Sequence, residues 1–209
     1  MVIAREDRRA GGAEGVKQPR TARGRKTLRA LLDAAAEEFG EKGYHDAAIT
    51  RIADRAKVAV GTFYTWFDSK EGIFRALVQD MSRQVRETVV PSIIAAPDRL
   101  SGEQAGIATF LAFVRRHKAL YGIIDESQFV AADAHRDHYR GIAEGYRASF
   151  DAAVERGELR SGDNEVRAWA VMGMNVFLGL RFAVWSEGED PARIAAAAAD
   201  LIARGMAPD

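Results

Sequence analysis

Between Val60 and Lys70 the chain reads VGTFYTWFDSK, and its hydroxyls, aromatic rings and one cation fall at helical spacing. Phe63 and Phe67, four apart, share one face of a helix and suit a core, so Thr62, Tyr64, Thr65 and Trp66 are left to face outward. Threonine hydroxyls reach base edges and threonine methyls meet thymine methyls in a major groove. Tyr64 and Trp66 suit phosphate bonding or the groove wall. Gly61 leaves room for close approach of a sugar-phosphate chain. Lys70 falls in the first turn of the following helix, where free N–H groups and the helix dipole favour a phosphate. Thr50 in the preceding helix and Lys57 in the intervening turn extend the set. The chemistry expected of these residues is recognition of a duplex, and base reading is assigned to Thr62, Thr65 and Trp66.

Such residues need a frame. Leu28, Leu31, Leu32, Ala35, Ala36 and Phe39 recur at spacings of three and four, so a first helix runs from Thr21 to about Lys42, with Gly43 as its stop. A short helix from about Ala48 to Ala56 and another from about Val60 to Trp66 are joined by Lys57-Val58-Ala59, the layout of a helix-turn-helix. Asp68 and Glu71 read as a capping box for a long helix to about Val90, ended by Pro91. Upstream, Lys17, Arg20, Arg23, Arg25 and Lys26 form a basic arm at the start of helix 1. Arg25 and Lys26 are nearest the domain and are the expected backbone or minor-groove contacts. Residues 1–20 lack periodicity and read as a disordered basic tail, residues 21–67 as the helix-turn-helix domain, and residues 68–209 as a second helical domain.

Composition narrows the remaining choices. The net charge is zero, yet residues 1–70 carry 14 Lys+Arg against 10 Asp+Glu while the remainder carries 16 against 20, so the positive excess sits with the motif. Absence of cysteine removes disulfides, thiol nucleophiles and Cys-type zinc sites, and it suits a cytoplasmic location. The opening MVIAREDRRAGG lacks the apolar run expected of a signal peptide. The apolar stretch at residues 168–185 contains Asn175 and Arg181, and Arg at a membrane helix centre costs about 2.5–3.5 kcal/mol, so it reads as buried in protein. No nucleophile elbow, phosphate loop or dinucleotide fingerprint is present. His135 and His138 lack a third ligand for a metal, with His135 expected to be packed and His138 exposed. Neither an enzyme, a cofactor nor a metal is expected.

The stretch LLDAAAEEFGEKGYHDAAITRIADRAKVAVGTFYTWFDSKEGIF resembles the DNA-binding domain of the TetR/AcrR family of transcriptional regulators. The likeness rests on AA-x-x-x-F in helix 1, the KGY turn, IA in helix 2, GTFY-x-x-F in helix 3 and SKE opening helix 4. It implies an all-α fold, a homodimer, a pseudo-palindromic double-stranded operator and a repressor released by a small hydrophobic or acyl effector. RGEL at 156–159 and MGMNVFLGLR at 172–181 loosely resemble members that respond to acyl-CoA thioesters. The chain departs from the family pattern at Ala48, Lys57 and Ala59-Val60. Ala48 and Ala59 forgo side-chain caps worth about 0.5–2 kcal/mol each unless Asp46 compensates at the first, and Lys57 must hold a turn without glycine's freedom.

In the second domain, helix 168–185 is apolar nearly all round, and a second copy of the chain is its simplest cover, with Gly173 and Gly179 allowing close helix approach. Phe110, Phe113, Tyr121, Phe129, Tyr146, Phe150, Trp169 and Phe177 are the expected lining of an effector pocket, with Tyr139 as a further candidate. Arg181 needs an anionic partner, either Asp125 or Glu126 or an acidic ligand. Alternative readings are a regulator without a small ligand and an all-α carrier or enzyme.

Overall fold

Thr21 accepts a hydrogen bond from the Gly24 amide and opens α1, Ala22–Asp46, which breaks at Gly43 where φ is 73° and ψ 170°. A left-handed φ is costly for any residue with a Cβ, so this glycine is what lets the chain turn into Tyr44 and His45. Then come α2, Ile49–Arg55; α3, Val60–Trp66; and α4, Lys70–Ile94. The rest is α5, Arg99–Arg116; α6, Lys118–Val130; α7, Ala132–Glu155; α8, Asn164–Gly179; a π-helical turn, Leu180–Val184; and α9, Pro191–Met206. The computed structural model describes residues 19–186 and 188–206, and among these there is no strand. The expected tail at residues 1–20 lies outside the described residues apart from Pro19 and Arg20, and so does Lys17.

Two helix boundaries differ from the sequence expectation. Ser69, not Asp68, caps α4, its hydroxyl accepting from the Gly72 amide. Pro91 does not end that helix. It lies close enough to the C-terminus that one more turn closes, with the Ala95 amide donating to the Pro91 carbonyl. Asp98 caps α5, accepting from the amide and hydroxyl of Ser101 at 2.8 and 2.9 Å. Asp133 lies inside the first turn of α7 and meets Arg75 of α4 at 2.6 Å.

Two cores organise the chain. The first gathers Leu31, Ala35 and Phe39 of α1, Ile52 of α2, Phe63 and Phe67 around α3, Phe74 and Leu77 of α4, and Ile123 of α6. Burial of each large apolar side chain contributes roughly 1.5–3 kcal/mol, so this core welds the three N-terminal helices to α4 and α6. A side chain at Gly40 would stand 2.7 Å from Ala119 Cβ, so α1 and α6 are in close contact. The second core joins Ile107, Leu111 and Val114 of α5 to Phe150, Val171, Ala183, Ile194 and Ile202.

Candidate DNA-binding surface and effector cavity

Helix α3 stands on Phe63 and Phe67, both fully buried with rings 5.7 Å apart, while α2 stands on Ile52 and Ala53. The turn between them contains Lys57 at φ 56°, so the strain expected of a lysine there is present. No side chain caps α2 or α3, and Asp46 does not compensate at the first. Arg55 ties α2 down instead: its guanidinium reaches Glu37, Glu38 and Glu41 of α1, and the buried Glu38 also accepts from the Ala48 amide at 3.4 Å.

This scaffold leaves Gly61, Tyr64 and Thr65 exposed on one face of α3, with Thr62 half-buried and Thr50 exposed on α2. No atom lies within 4 Å of a Cβ built on Gly61, so nothing inside the protein calls for glycine there. Thr65 donates its hydroxyl to the Gly61 carbonyl at 3.1 Å and presents its methyl and a lone pair outward. Arg25, Lys26, Arg51 and Lys57 are exposed and make no ion pair among the described residues. Arg51 escaped the sequence reading, although it follows Thr50 directly.

Two expected contacts turn inward. Trp66 is half-buried against the first core, and its ring rests on α1, 3.2 Å from where a Gly24 Cβ would be. It props the start of α1, with Arg23, Arg25 and Lys26, beside the end of α3. Lys70 donates to the carbonyls of Tyr44 at 2.7 Å, His45 at 2.9 Å and Ala47 at 2.9 Å, and its ammonium lies 4.7 Å from the Tyr44 ring centre. An ammonium has three donors, so Lys70 is fully used in closing the break at Gly43 and has no N–H left for phosphate.

Below these helices lies a cavity of about 440 Å³ between α4, α5, α6, α7 and α8. Met81, Val85, Val89, Phe110, Phe113 and Ile124 make most of its wall apolar. Tyr121, Tyr139 and Tyr146 also line it. Tyr121 donates to the Val176 carbonyl at 2.8 Å, and burial pushes its hydroxyl pKa up. Gly179 faces inward as well, because a side chain there would collide with the Tyr121 hydroxyl.

The other candidates lie elsewhere. Phe150 belongs to the second core, and Phe129, Trp169 and Phe177 are exposed at 83%, 47% and 72%. Phe129 ends up outside because its neighbours Ile123, Ile124 and Ser127 take the inner face of α6. Trp169 and Phe177 lie on the outer face of α8, opposite Ala168, Met172 and Asn175. Arg181 is exposed too: the wider π-helical turn takes it outward, where it donates to Ser186 Oγ at 2.8 Å and packs on Phe182. Neither expected carboxylate is its partner. Glu126 instead accepts the Tyr44 amide at 2.9 and 2.8 Å.

The buried arginine is Arg99, only 4% exposed, which pairs with Glu103 at 2.7 Å and lies 4.7 Å from the Phe150 ring centre. It is the first residue of α5, directly after the Asp98 cap. Both histidines also pack inward. His138, expected to be exposed, is 9% exposed and 2.6 Å from Ser82 Oγ, and burial pushes its pKa down to about 4. His135 is half-buried beside Ser127. Among the described residues no three His, Cys, Asp or Glu side chains converge as a metal site, and no helix is long and apolar enough to cross a membrane.

Comparison with known proteins agrees with the geometry. Residues 31–77, which span the helix-turn-helix, match the family described as bacterial regulatory proteins, tetR family. The chain is 28% identical over 194 residues to the uncharacterized HTH-type transcriptional regulator YdgC of Bacillus subtilis, covering 89% of this chain and 95% of YdgC. It is 39% identical over 70 residues to the HTH-type transcriptional regulator BetI of Klebsiella pneumoniae, about a third of each chain at 34% and 36%. The fold superposes with a TM-score of 0.75 on the transcriptional regulator FadR of Bacillus subtilis solved in complex with stearoyl-CoA, at 20% identity, covering 85% of this chain and 98% of FadR. With the exposed face of α3 and the buried Phe63 and Phe67 beneath it, these matches identify residues 31–77 as a DNA-binding domain of the TetR family, carried on a helical body whose fold TetR-family regulators share.

Proposed function

We propose that this regulator acts as a homodimeric repressor whose hold on operator DNA is released when a small, mainly apolar effector fills the cavity. The observation that carries the reading is that the helices walling the cavity are also those bolted to the DNA-binding helices. Helix α4 contributes Met81 and Val85 to the wall and Lys70 to the carbonyls after Gly43. Helix α6 contributes Tyr121 and Ile124 to the wall, and its Glu126 holds the Tyr44 amide. An effector that favours a different spacing of α4 and α6 therefore shifts α3 relative to its counterpart in the partner, and only that difference in affinity drives release. FadR's complex with stearoyl-CoA supports an acyl chain as one candidate occupant.

The outer face of α8 and α9 supports the dimer. Val166, Trp169, Phe177 and Leu201 are exposed at 62%, 47%, 72% and 65%, a patch too apolar to favour water. A two-fold pair joined there presents two α3 helices to successive major grooves, roughly 34–36 Å apart. Thr62, Tyr64 and Thr65 then read the groove, while Arg25, Lys26, Arg51 and Lys57 neutralise phosphates.

Fluorescence anisotropy with duplexes from upstream of the protein's own gene tests this reading. Specific binding should weaken linearly in log–log form as salt rises. Thr65→Ala should relax sequence preference, and Arg51→Ala should weaken all sequences alike and reduce the salt slope by about one. Equal affinity for every sequence in the parent protein would contradict the proposal.

A further inference from the structure

At one end of the cavity wall four polar side chains form a chain of hydrogen bonds. Asn175 Nδ2 donates to the Tyr146 hydroxyl at 3.0 Å, and that hydroxyl donates to Glu103 Oε1 at 3.3 Å. Glu103 is in turn paired with Arg99. Burial, and then the charge of Glu103, raises the Tyr146 pKa, so its proton stays in place and fixes the direction of the chain. With Nδ2 committed, Asn175 turns its Oδ1 elsewhere. That oxygen, and Nε and Nη1 of Arg99, are buried without a hydrogen-bond partner among the described residues. Asn175 is 6% exposed and Arg99 4%, and both line the cavity.

Unfilled donors and an unfilled acceptor at one end of a mostly apolar space, whose wall also carries Arg86 and Asp125, specify a ligand. A group bound there has to accept from Arg99 and donate to Asn175 Oδ1. The charge is already balanced, because Arg99 faces Glu103 and the wall's other guanidinium, Arg86, is offset in number by the Asp125 carboxylate. A ligand carboxylate would add a second negative charge and would leave Asn175 Oδ1 without a donor, and each such unmatched buried group is costly. A plain thioester carbonyl accepts but does not donate. We infer that the effector is an uncharged amphiphile whose polar end is both hydrogen-bond donor and acceptor, a primary amide or a hydroxyl, attached to an apolar body that fills the remainder of the cavity. This inference rests on the proposed effector role of the cavity and names the chemistry of its occupant.

Isothermal titration calorimetry of the full chain with decanamide, decanol, decanoate and decanoyl-coenzyme A at pH 8 tests it, since the four share one apolar chain. Decanamide and decanol should bind about tenfold or more tighter than the other two, the factor of about one lost buried hydrogen bond. Asn175→Leu, with its fold checked by circular dichroism, should erase that preference, and the ranking in the parent protein stands without the variant. Preference for decanoate or decanoyl-coenzyme A, or no binding by any of the four, would overturn the inference. Anisotropy with operator duplex separates the two ideas. If decanoate binds preferentially and releases DNA, the effector reading stands and the neutral head falls; if decanamide binds preferentially and DNA affinity is unchanged, the reverse holds.

Discussion

Replacing Lys70 by methionine keeps the aliphatic stem and removes the three hydrogen bonds to the carbonyls of Tyr44, His45 and Ala47. A hydrogen bond to a charged group is worth about 1.5–3 kcal/mol when buried, but Lys70 is half-exposed and water can reach part of the gap. Counting the bonds at well below that range, and the contact over the Tyr44 ring at about 0.5–1 kcal/mol, gives a loss of about 2–4 kcal/mol. For a chain of this length about 1 kcal/mol moves the melting temperature by about 2–4 °C, so Lys70→Met should melt about 5–15 °C lower in calorimetry. The second readout is the salt dependence of DNA binding, measured at a temperature where the variant is folded. Loss of a phosphate contact would reduce the slope by about one unit, whereas loss of an internal clamp leaves it unchanged. A variant with unaltered melting and a slope reduced by one would refute the clamp and restore the phosphate contact.

Two further outcomes follow from particular side chains. Gly173 has no atom within 4 Å of a built Cβ, so Gly173→Glu fits within one protomer. On the proposed interface it buries a charge and should raise the dimer dissociation constant by about tenfold or more, and an unchanged sedimentation profile would count against that face. His138 is neutral in the fold with a pKa pushed down to about 4, beside Ser82 Oγ and facing the charges of His135 and Arg86. Below about pH 6.5 the unfolded chain takes up a proton that the native chain refuses, so stability should fall by about 3 kcal/mol between pH 6.5 and pH 4. Denaturation of His138→Gln across that range should give a flatter profile, and parallel curves would remove His138 as the cause.

The helix-turn-helix was legible because its information is local. Phe63 and Phe67 lie four apart, Gly61 and the turn punctuate, and α3 runs from Val60 to Trp66 as the spacing predicts. What the sequence concealed depends on partners far along the chain. Lys70 meets carbonyls 23 to 26 residues earlier, and nothing near SKE announces them. Trp66 was read as a groove contact because the start of α1, against which it rests, is more than forty residues away. Arg181 and Arg99 exchanged roles for a related reason. An arginine inside an apolar run looks buried, but the π-helical turn shifts the helix phase and brings Arg181 to the surface, with Ala183 fully buried. Arg99, one residue past a cap, looks solvated until α7 and α8 close over it with Tyr146 and Asn175. Of the aromatic candidates, Phe110, Phe113, Tyr121, Tyr139 and Tyr146 reach the cavity. Periodicity marked the others as apolar but could not distinguish a core or an outer face from a cavity wall.

The proposed release of DNA requires one coupling, between the cavity and the exposed face of α3. Linkage makes that coupling reciprocal, so the affinity of the tightest-binding decyl probe, measured by calorimetry with and without saturating operator duplex, tests it directly. Operator should weaken probe binding by the same factor by which the probe weakens operator binding, about 5–150-fold for a coupling of about 1–3 kcal/mol. Equal probe affinity in the presence and absence of operator would contradict it.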